Sequence, residues 1–298
     1  MKVLFLIVNT ACDMACKHCF YTTGYEKRSQ KRISPDKAHL FAQNIIEHGF
    51  EIVILTGGDP FVSRLKSETY VLIEALKNQS LKVIINTSGV KMTEIDLTNI
   101  INLGVNRVDL SINSCVEEIH NAERGFFHDT VWFLQELLAK KPEIVSTTTV
   151  ITKENAKYAV DTLLWLKNVG VKNINYQPVF MPLESPSDTI MQTLEKCAEI
   201  LSAKHTRDYL AQYAAASHNQ GLLSNAVCKM GKKYFVCDSD GTLYPCFHRM
   251  DITYGNVLVD AKEDIERTAA QDPFNSDQVS TCFGPHCVSL FDNSDFWR

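Results

Sequence analysis

The sequence lacks long hydrophobic runs, an excess of basic charge, internal repeats and low-complexity segments. No apolar run approaches the roughly 18 residues of a membrane span, so we expect no membrane partner. Thirty Lys and Arg against 35 Asp and Glu leave a net charge of -5. Because proteins that neutralise a phosphate backbone are usually basic, nucleic acid is not the expected partner. Apolar residues make up 45% and charged residues 22%, which excludes wholesale disorder.

A signal for export is also missing. The N-terminal apolar run Val3–Val8 is short for the core of a signal peptide. We therefore expect a cytoplasmic protein, although the chain contains ten cysteines. In a reducing compartment clustered cysteines more often bind metal or carry out redox chemistry than form disulfides.

Short Val- and Ile-rich runs alternate with amphipathic segments over the first 180 or so residues. The predicted strands are Val3–Val8, Ile52–Leu55, Val83–Ile85, Val108–Ile112, Ile144–Ile151 and Val171–Tyr176. One predicted helix opens at Ser34-Pro35 and ends at Gly49, and another runs from Asn155 to Gly170. This alternation predicts an α/β fold with a mainly parallel sheet, either open or a partial barrel.

The pattern changes after about residue 180. Met181–Ser187 holds two prolines, and Thr189–Ala216 has a helical pattern. From Gly221 onward come five cysteines, a hairpin turn at residues 238–241 and a short helix near Asp260–Ala270. We therefore predict an α/β domain over 1–187, a helical connection over 188–220 and a small Cys-rich α+β domain over 221–298.

Three cysteines follow the first predicted strand with the spacing C-x3-C-x2-C. They are Cys12, Cys16 and Cys19, and they lie at the edge of the sheet that carries the chemistry in parallel α/β folds. Three thiolates can bind a four-iron cluster with one iron left open, or a zinc ion with room for water. A structural zinc loop that uses His18 is the alternative interpretation.

A glycine-rich turn follows the second predicted strand at the same edge. Its residues are Gly57, Gly58, Asp59 and Pro60. Glycines let the backbone approach a ligand closely, and the turn carbonyls and Asp59 can accept hydrogen bonds from an ammonium group. Alone this is an ordinary strand-to-helix turn, but after the cysteine loop it is far more specific.

With these two motifs in order, the chain resembles the radical S-adenosylmethionine superfamily. The resemblance implies a partial (β/α)6 barrel in which the N-terminal cysteines bind a [4Fe-4S] cluster and S-adenosylmethionine (SAM) chelates the fourth iron. It implies that the glycine turn binds the SAM amine, although the family often has Glu where this chain has Asp59. By the same resemblance Ser111 and Asn113 would meet the ribose and Arg124 the methionine carboxylate; from the residues alone, strand-end capping and a surface ion pair are the alternatives.

The resemblance also implies the chemistry. A reduced cluster would cleave SAM to methionine and a 5′-deoxyadenosyl radical, which would take hydrogen from an unactivated C–H bond. We expect a reductant of the flavodoxin or ferredoxin type.

The C-terminal cysteines resemble the SPASM/twitch extensions of this superfamily. This resemblance implies a second, auxiliary [4Fe-4S] cluster bound by Cys228, Cys246, Cys282 and Cys287. The C-x4-C spacing of the last pair departs from the family pattern. Cys237 would then be left over.

A leftover thiol raises an alternative reaction. Cys237, or Cys115 just beyond the fourth strand, could return a hydrogen atom to the substrate radical, as an epimerase requires. Without such a donor, the auxiliary cluster would accept an electron and the product would be oxidised or gain a new bond. A spare cysteine is otherwise a small buried hydrophobe.

The substrate stays open between two classes. Peptide-modifying relatives often carry a leader-binding domain before the cysteine loop, which here begins at residue 12; that favours a small carbohydrate-like or cyclitol-like molecule. A peptide substrate, recognised with a separate leader-binding protein, is an alternative of nearly equal weight. A non-catalytic metal-binding or electron-transfer protein is the alternative of another class, against which the motifs at 57–60 and 111–124 argue.

Overall fold

A computed structural model describes residues 1–19, 31–178, 188–201, 230–247 and 249–272. Six strands pair in parallel, in sequence order across the sheet. They are β1 Lys2–Asn9, β2 Phe50–Gly57, β3 Lys82–Thr87, β4 Arg107–Ser111, β5 Val145–Ile151 and β6 Asn173–Pro178. Each predicted strand is present with shifted ends, and the α/β fold with a parallel sheet is confirmed.

Helices connect these strands. They are α1 Ala38–Glu47, α2 Lys66–Asn78, α3 Glu94–Asn102, α4 Glu117–Glu123, α5 Phe127–Lys140, α6 Ala159–Asn168, α7 Asp188–Ile200 and α8 Lys262–Gln271. The helix predicted from Ser34-Pro35 begins as a 3-10 turn, Pro35–Lys37, before α1. Gly49 beyond its end has φ +80°, a conformation that glycine adopts without strain. The predicted helix Thr189–Ala216 is present as α7, and its remainder lies outside the described residues.

The connections cover one face of the sheet. Right-handed crossovers between strands in sequence order place their helices on the same side, as in a (β/α) barrel. Phe41 of α1, Leu97 of α3 and Leu163 of α6 accordingly pack in one core with Leu4 and Leu110 of the sheet. We call this the helix-covered face and the opposite one the open face.

The open face is divided by polarity. Its β7-β1-β2-β3 part is an apolar cluster that includes Val3, Ile7, Ile54, Ile84 and Val236. From Asn86 of β3 to β6 the side chains on this face are polar apart from Val150. Register partners share a face, so Asn86 lies beside Asp109. The apolar half includes β1, the strand that precedes the cysteine loop, and the polar half lies toward β6.

Part of the C-terminal region extends the same sheet. β7, Tyr234–Cys237, pairs in parallel with β1, and β8 Thr242–Tyr244 and β9 Gly255–Asn256 add antiparallel strands beyond it. The predicted hairpin turn at Gly241 is present, with φ +91°. The predicted domain limits 1–187, 188–220 and 221–298 stay predictions, since residues 202–229 and 273–298 lie outside the described residues. No helix in the described residues is both long and apolar enough to cross a membrane.

Candidate active site at the cysteine loop

The cysteine loop and the glycine turn are joined by backbone hydrogen bonds. The amide of Gly58 donates to the Asn9 carbonyl at 2.9 Å, and the amide of Asp59 donates to the Ala11 carbonyl at 2.8 Å. The Asn9 side chain also links the two segments. Its Nδ2 donates to the Asp59 carbonyl at 3.1 Å, and its Oδ1 accepts from the Ala11 amide at 2.8 Å. The residue before Cys12 is thus fixed to the turn after β2.

Both glycines of the turn are required by this close approach. A Cβ on Gly57 would lie 2.1 Å from the carbonyl oxygen of Asn9, and one on Gly58 would lie 1.9 Å from that of Ala11. Gly57 also has φ +135°. The glycines therefore let the loop and the turn touch, a contact that the motif alone did not reveal.

The carboxylate of Asp59 is fully engaged by the protein. Its Oδ1 accepts from the Phe61 amide and the Thr87 hydroxyl, both at 2.8 Å, and its Oδ2 accepts from the Ser88 amide at 2.8 Å and hydroxyl at 2.6 Å. Four donors fill the acceptor positions of a carboxylate. Asp59 therefore anchors the turn to the end of β3, and the turn carbonyls are what remain for a bound ammonium group.

The three thiols lie within electrostatic reach of one another. Cys12 keeps an exposed edge, yet desolvation by the surrounding protein raises the pKa of its thiol to about 12, with Asp59 and then Cys16 and Cys19 adding to the shift. Burial also raises the pKa of Cys16, against the opposing charge of Arg124. Within the described residues, no three His, Cys, Asp or Glu side chains are close enough to enclose a metal ion. The loop thus places the three thiols near one another, but not close enough for all three to contact one metal ion.

His18 lies in the loop between the second and third thiols. Both ring nitrogens are buried and have no hydrogen-bond partner among the described residues. Burial, with the nearby charges of Arg124 and His120, lowers the pKa of His18 to about 3, so the ring is neutral. Because buried polar atoms are nearly always paired, this ring fits a site that receives a further group.

Arg124 connects the cysteine loop to the end of β4. Its Nε donates to Asn113 Oδ1 at 3.0 Å, and its Nη1 lies 3.8 Å from Cys16 Sγ. It directly follows α4, and Gly125 after it has φ +88°. The predicted groups of three different segments are thus brought together here: the thiols, the strand end and the arginine.

The comparisons with known proteins agree with this geometry. The family model described as "Radical SAM superfamily" matches residues 6–166, more than half of the chain. The chain belongs to the radical SAM superfamily. Its members are enzymes, and the fold implies a [4Fe-4S] cluster and SAM.

Two curated relatives are similar to this chain in sequence, and one solved structure is similar in fold. The AdoMet-dependent heme synthase of Oleidesulfovibrio alaskensis is 28% identical over 166 residues, which are 55% of this chain and 42% of that protein. A probable GTP 3′,8-cyclase of Sulfurisphaera tokodaii is 24% identical over 281 residues, 87% of each chain. Streptococcus suis SuiB bound to its precursor peptide SuiA is similar in fold, with a TM-score of 0.68 at 14% identity over 92% of this chain and 65% of that one.

The described residues fit the radical SAM cofactors. Cysteine thiolates are the ligands of iron–sulfur clusters, and a metal deprotonates a thiol that binds it, whatever the pKa of the free thiol. Cys12, Cys16 and Cys19 would hold the cluster. The unpaired ring of His18 and the guanidinium of Arg124 lie beside these thiols, where the remaining parts of a bound SAM are expected.

A buried glutamate that the sequence analysis missed organises this radical SAM site. Glu123 Oε2 accepts from Asn113 Nδ2 at 2.6 Å and from Asn155 Nδ2 at 3.0 Å, and the Thr152 hydroxyl donates to its Oε1. Its backbone carbonyl accepts from the Lys17 amide at 3.0 Å. One residue therefore ties the cysteine loop to the ends of β4 and β5. Its only sequence signal was its place directly before Arg124.

The two predicted ribose residues have different surroundings. Asn113 is 1% exposed, and its amide is used by Arg124 and Glu123. Ser111 lies on the open face at the end of β4 and is partly exposed. Of the two, Ser111 keeps an exposed part on the open face, while Asn113 holds the arginine.

The two predicted hydrogen donors lie on the helix-covered side. Cys237 is fully buried in that core, and burial raises the pKa of its thiol well above the usual range, with Asp238 adding to the shift. The Cys115 amide donates to the Thr162 hydroxyl of α6 at 3.0 Å, which places Cys115 beside this helix. Neither position shares the open face with Ser111, which argues against the donor role.

The predicted auxiliary ligands are described only in part. Cys246 is 8% exposed and packs in the apolar cluster of the open face, opposite to Cys237. Cys228, Cys282 and Cys287 lie outside the described residues, so the second cluster stays a prediction.

Proposed function

We propose that this chain reductively cleaves SAM and abstracts hydrogen from a C–H bond of a polar natural product. The observation that carries the proposal is the Arg124 guanidinium, which contacts Asn113 at the end of β4 and reaches Cys16 of the loop. Together with the Gly57–Gly58 contact to the loop backbone, it supports one SAM site at the edge of the sheet.

The chemistry supplied by the bound cofactors is one-electron cleavage of the C5′–S bond, which yields methionine and a 5′-deoxyadenosyl radical that takes hydrogen from the substrate. The protein's part is positioning. The glycine turn offers backbone carbonyls to the SAM amine, Arg124 offers a guanidinium fork to its carboxylate, and Glu123 fixes Arg124 through Asn113. The open face below this edge would receive the substrate and shield it from water.

For the substrate, a peptide is the first candidate. SuiB, whose fold is shared, was solved with a precursor peptide, and a separate leader-binding protein would then be a partner. A small carbohydrate-like molecule is the second candidate, because the GTP 3′,8-cyclase matches 87% of this chain and the polar half of the open face suits a hydroxylated ligand.

Net oxidation is proposed over epimerisation. Both predicted hydrogen donors, Cys115 and Cys237, lie on the helix-covered side, whereas Cys246 lies on the open face. An auxiliary cluster bound through Cys246 would therefore be on the substrate side. The auxiliary cluster, a flavodoxin- or ferredoxin-type reductant and a cytoplasmic location stay proposals.

Anaerobic reconstitution with iron and sulfide, followed by chromatography of the dithionite-reduced mixture with SAM, tests the proposal. The wild type should form 5′-deoxyadenosine, Cys16→Ala should form none, and Cys197→Ala should retain formation, because Cys197 is buried in the helix-covered core away from the loop. A wild type without 5′-deoxyadenosine would instead indicate a metal-binding or electron-transfer protein.

A further inference from the structure

The middle of β4 carries a carboxylate that the SAM site does not use. Val108 and Leu110 pack in the helix-covered core, so the alternation of a strand places Asp109 on the open face. Ser111, two residues further along, marks the SAM edge. Asp109 therefore lies about 7 Å below that edge along the strand, a distance that one sugar ring or one amino-acid residue can bridge.

The two oxygens of the Asp109 carboxylate differ in their hydrogen bonds to the described protein. The Thr148 hydroxyl donates to its Oδ2 at 2.7 Å, whereas Oδ1 is buried and has no hydrogen-bond partner among the described residues. Burial raises the pKa of Asp109 above its usual range, against the opposing charge of Arg107 and the hydroxyl groups of Thr148 and Ser146. Because a buried acceptor without a donor weakens the fold, Oδ1 is the part of this carboxylate at which a further donor would be favourable.

The neighbours of Asp109 are polar and share its face. In the sheet register it lies between Asn86 of β3 and Ser146 of β5, and Thr148 lies opposite Ser111. Ser146 is held in place by Asn175, whose Nδ2 donates to its hydroxyl at 3.1 Å. These side chains both donate and accept hydrogen bonds, which matches hydroxyl groups on a ligand.

Charge decides between a cationic and a neutral partner. The Arg107 guanidinium already lies close enough to stabilise the ionised form of Asp109. A ligand ammonium group would add an uncompensated positive charge to a buried site, whereas a neutral hydroxyl donates a hydrogen bond and adds none.

We propose that the polar half of the open face is the substrate subsite of this radical SAM enzyme and that Asp109 accepts a hydrogen bond from a neutral hydroxyl group of the substrate. The proposal deepens the proposed function and rests on it. Two kinds of substrate carry such a hydroxyl group. One is a cyclitol or sugar, and the other is a peptide with a serine or threonine residue.

Saturation-transfer NMR on the reconstituted protein with SAM and no reductant tests the subsite. The probes are myo-inositol and N-acetylserine methylamide, one for each source. We expect transfer to one of them in the wild type, a loss of about tenfold in Asp109→Leu and an intermediate signal in Asp109→Asn, whose amide keeps an acceptor. Asp161→Asn, which removes a carboxylate exposed on α6, should match the wild type.

Thermal unfolding checks that the variants are folded at the temperature of the NMR measurement. Asp109→Asn should unfold at a lower temperature than the wild type whichever role the carboxylate has, because the buried Arg107 loses its nearby negative charge. No transfer to either probe in the wild type, or unchanged transfer in a folded Asp109→Leu, would each overturn the subsite. Absence of SAM cleavage by the reduced wild type would count against the proposed function alone, since the NMR measurement needs no turnover.

Discussion

Arg124 and Asn113 form a hydrogen bond of 3.0 Å between Nε and Oδ1, and the same guanidinium lies 3.8 Å from Cys16 Sγ. The arginine is thus held by a residue just beyond β4 while it faces the cysteine loop. Because the hydrogen bond leaves the rest of the guanidinium fork available to an anion, this pair fits recognition of a carboxylate.

Replacing the Arg124 guanidinium tests its role in recognising a carboxylate. Arg124→Lys keeps the charge but loses the planar donors, so SAM should bind about tenfold more weakly, a loss of about 1.4 kcal/mol. Equilibrium dialysis with labelled SAM on the reconstituted protein measures the change. Arg267→Lys, exposed on α8, is the matched control. Binding by Arg124→Lys within twofold of the wild type would remove Arg124 from the SAM site.

The buried Glu123 should matter for stability as well as for the site. Glu123→Gln places an amide among three donors, from Asn113, Asn155 and Thr152, and should lower the free energy of unfolding by about 3 kcal/mol. Urea denaturation of the iron-free protein measures this loss. The exposed Glu143→Gln should show no change. Equal stability of Glu123→Gln and wild type would mean that the network is not formed.

The β/α unit was the part most readable from the sequence. Val108, Leu110 and Ile112 alternate with polar residues, and each lies in the helix-covered core. Local periodicity suffices here, because one face of each strand must be buried. The cysteine loop and glycine turn were placed correctly at the same edge, since parallel strands end together.

The pairing of strands that are far apart in the chain could not be predicted from the sequence. Nothing local in Tyr234–Cys237 specifies that it pairs with β1, more than 200 residues earlier. Likewise, the sequence suggested that Asp59 would face a ligand, but donors from Thr87 and Ser88 of a different segment occupy it. Such contacts depend on tertiary packing, which residue types and spacing do not encode.

The contact between the glycine turn and the loop predicts a severe effect of one methyl group. In Gly58→Ala the new Cβ would meet the Ala11 carbonyl oxygen at 1.9 Å, so the loop must move, at a cost of about 3 kcal/mol. We expect iron incorporation at the loop and 5′-deoxyadenosine formation to be lost. Gly170→Ala meets no atom within 4 Å and carries only the strain of its positive φ, about 1–2 kcal/mol. Normal iron content in Gly58→Ala would contradict the packing argument.

Acid should weaken the cap of α3. Burial opposes ionisation of Asp96, but hydrogen bonds from Lys66, Tyr70 and Thr93 outweigh it and hold the pKa of this carboxyl below its usual range. A carboxyl with a lowered folded pKa stabilises the fold above its unfolded pKa of about 3.9, and this stability is lost as the pH falls through the folded value.

Urea denaturation of the iron-free protein at several pH values from 7 down to 3 measures this linkage. Asp96→Asn should lower stability at pH 7 and flatten the decline below about pH 4. Asp251→Asn, which removes an exposed carboxyl, should leave the decline as in the wild type. Parallel curves for Asp96→Asn and the wild type would show that Asp96 does not supply this acid sensitivity.

The two described cysteines of the C-terminal hairpin region should differ in iron binding. Cys246 lies on the open face with Tyr234 and Val236, whereas Cys237 is enclosed in the helix-covered core. Two four-iron clusters predict about eight irons per chain, and Cys246→Ala should lower this number toward about four because one ligand of the auxiliary cluster is lost. Cys237→Ala should keep about eight, since its thiol is buried on the other side of the sheet. Iron and zinc analysis after anaerobic reconstitution measures both. A wild type with about four irons would exclude the auxiliary cluster, and zinc in place of the missing iron would indicate a structural metal site.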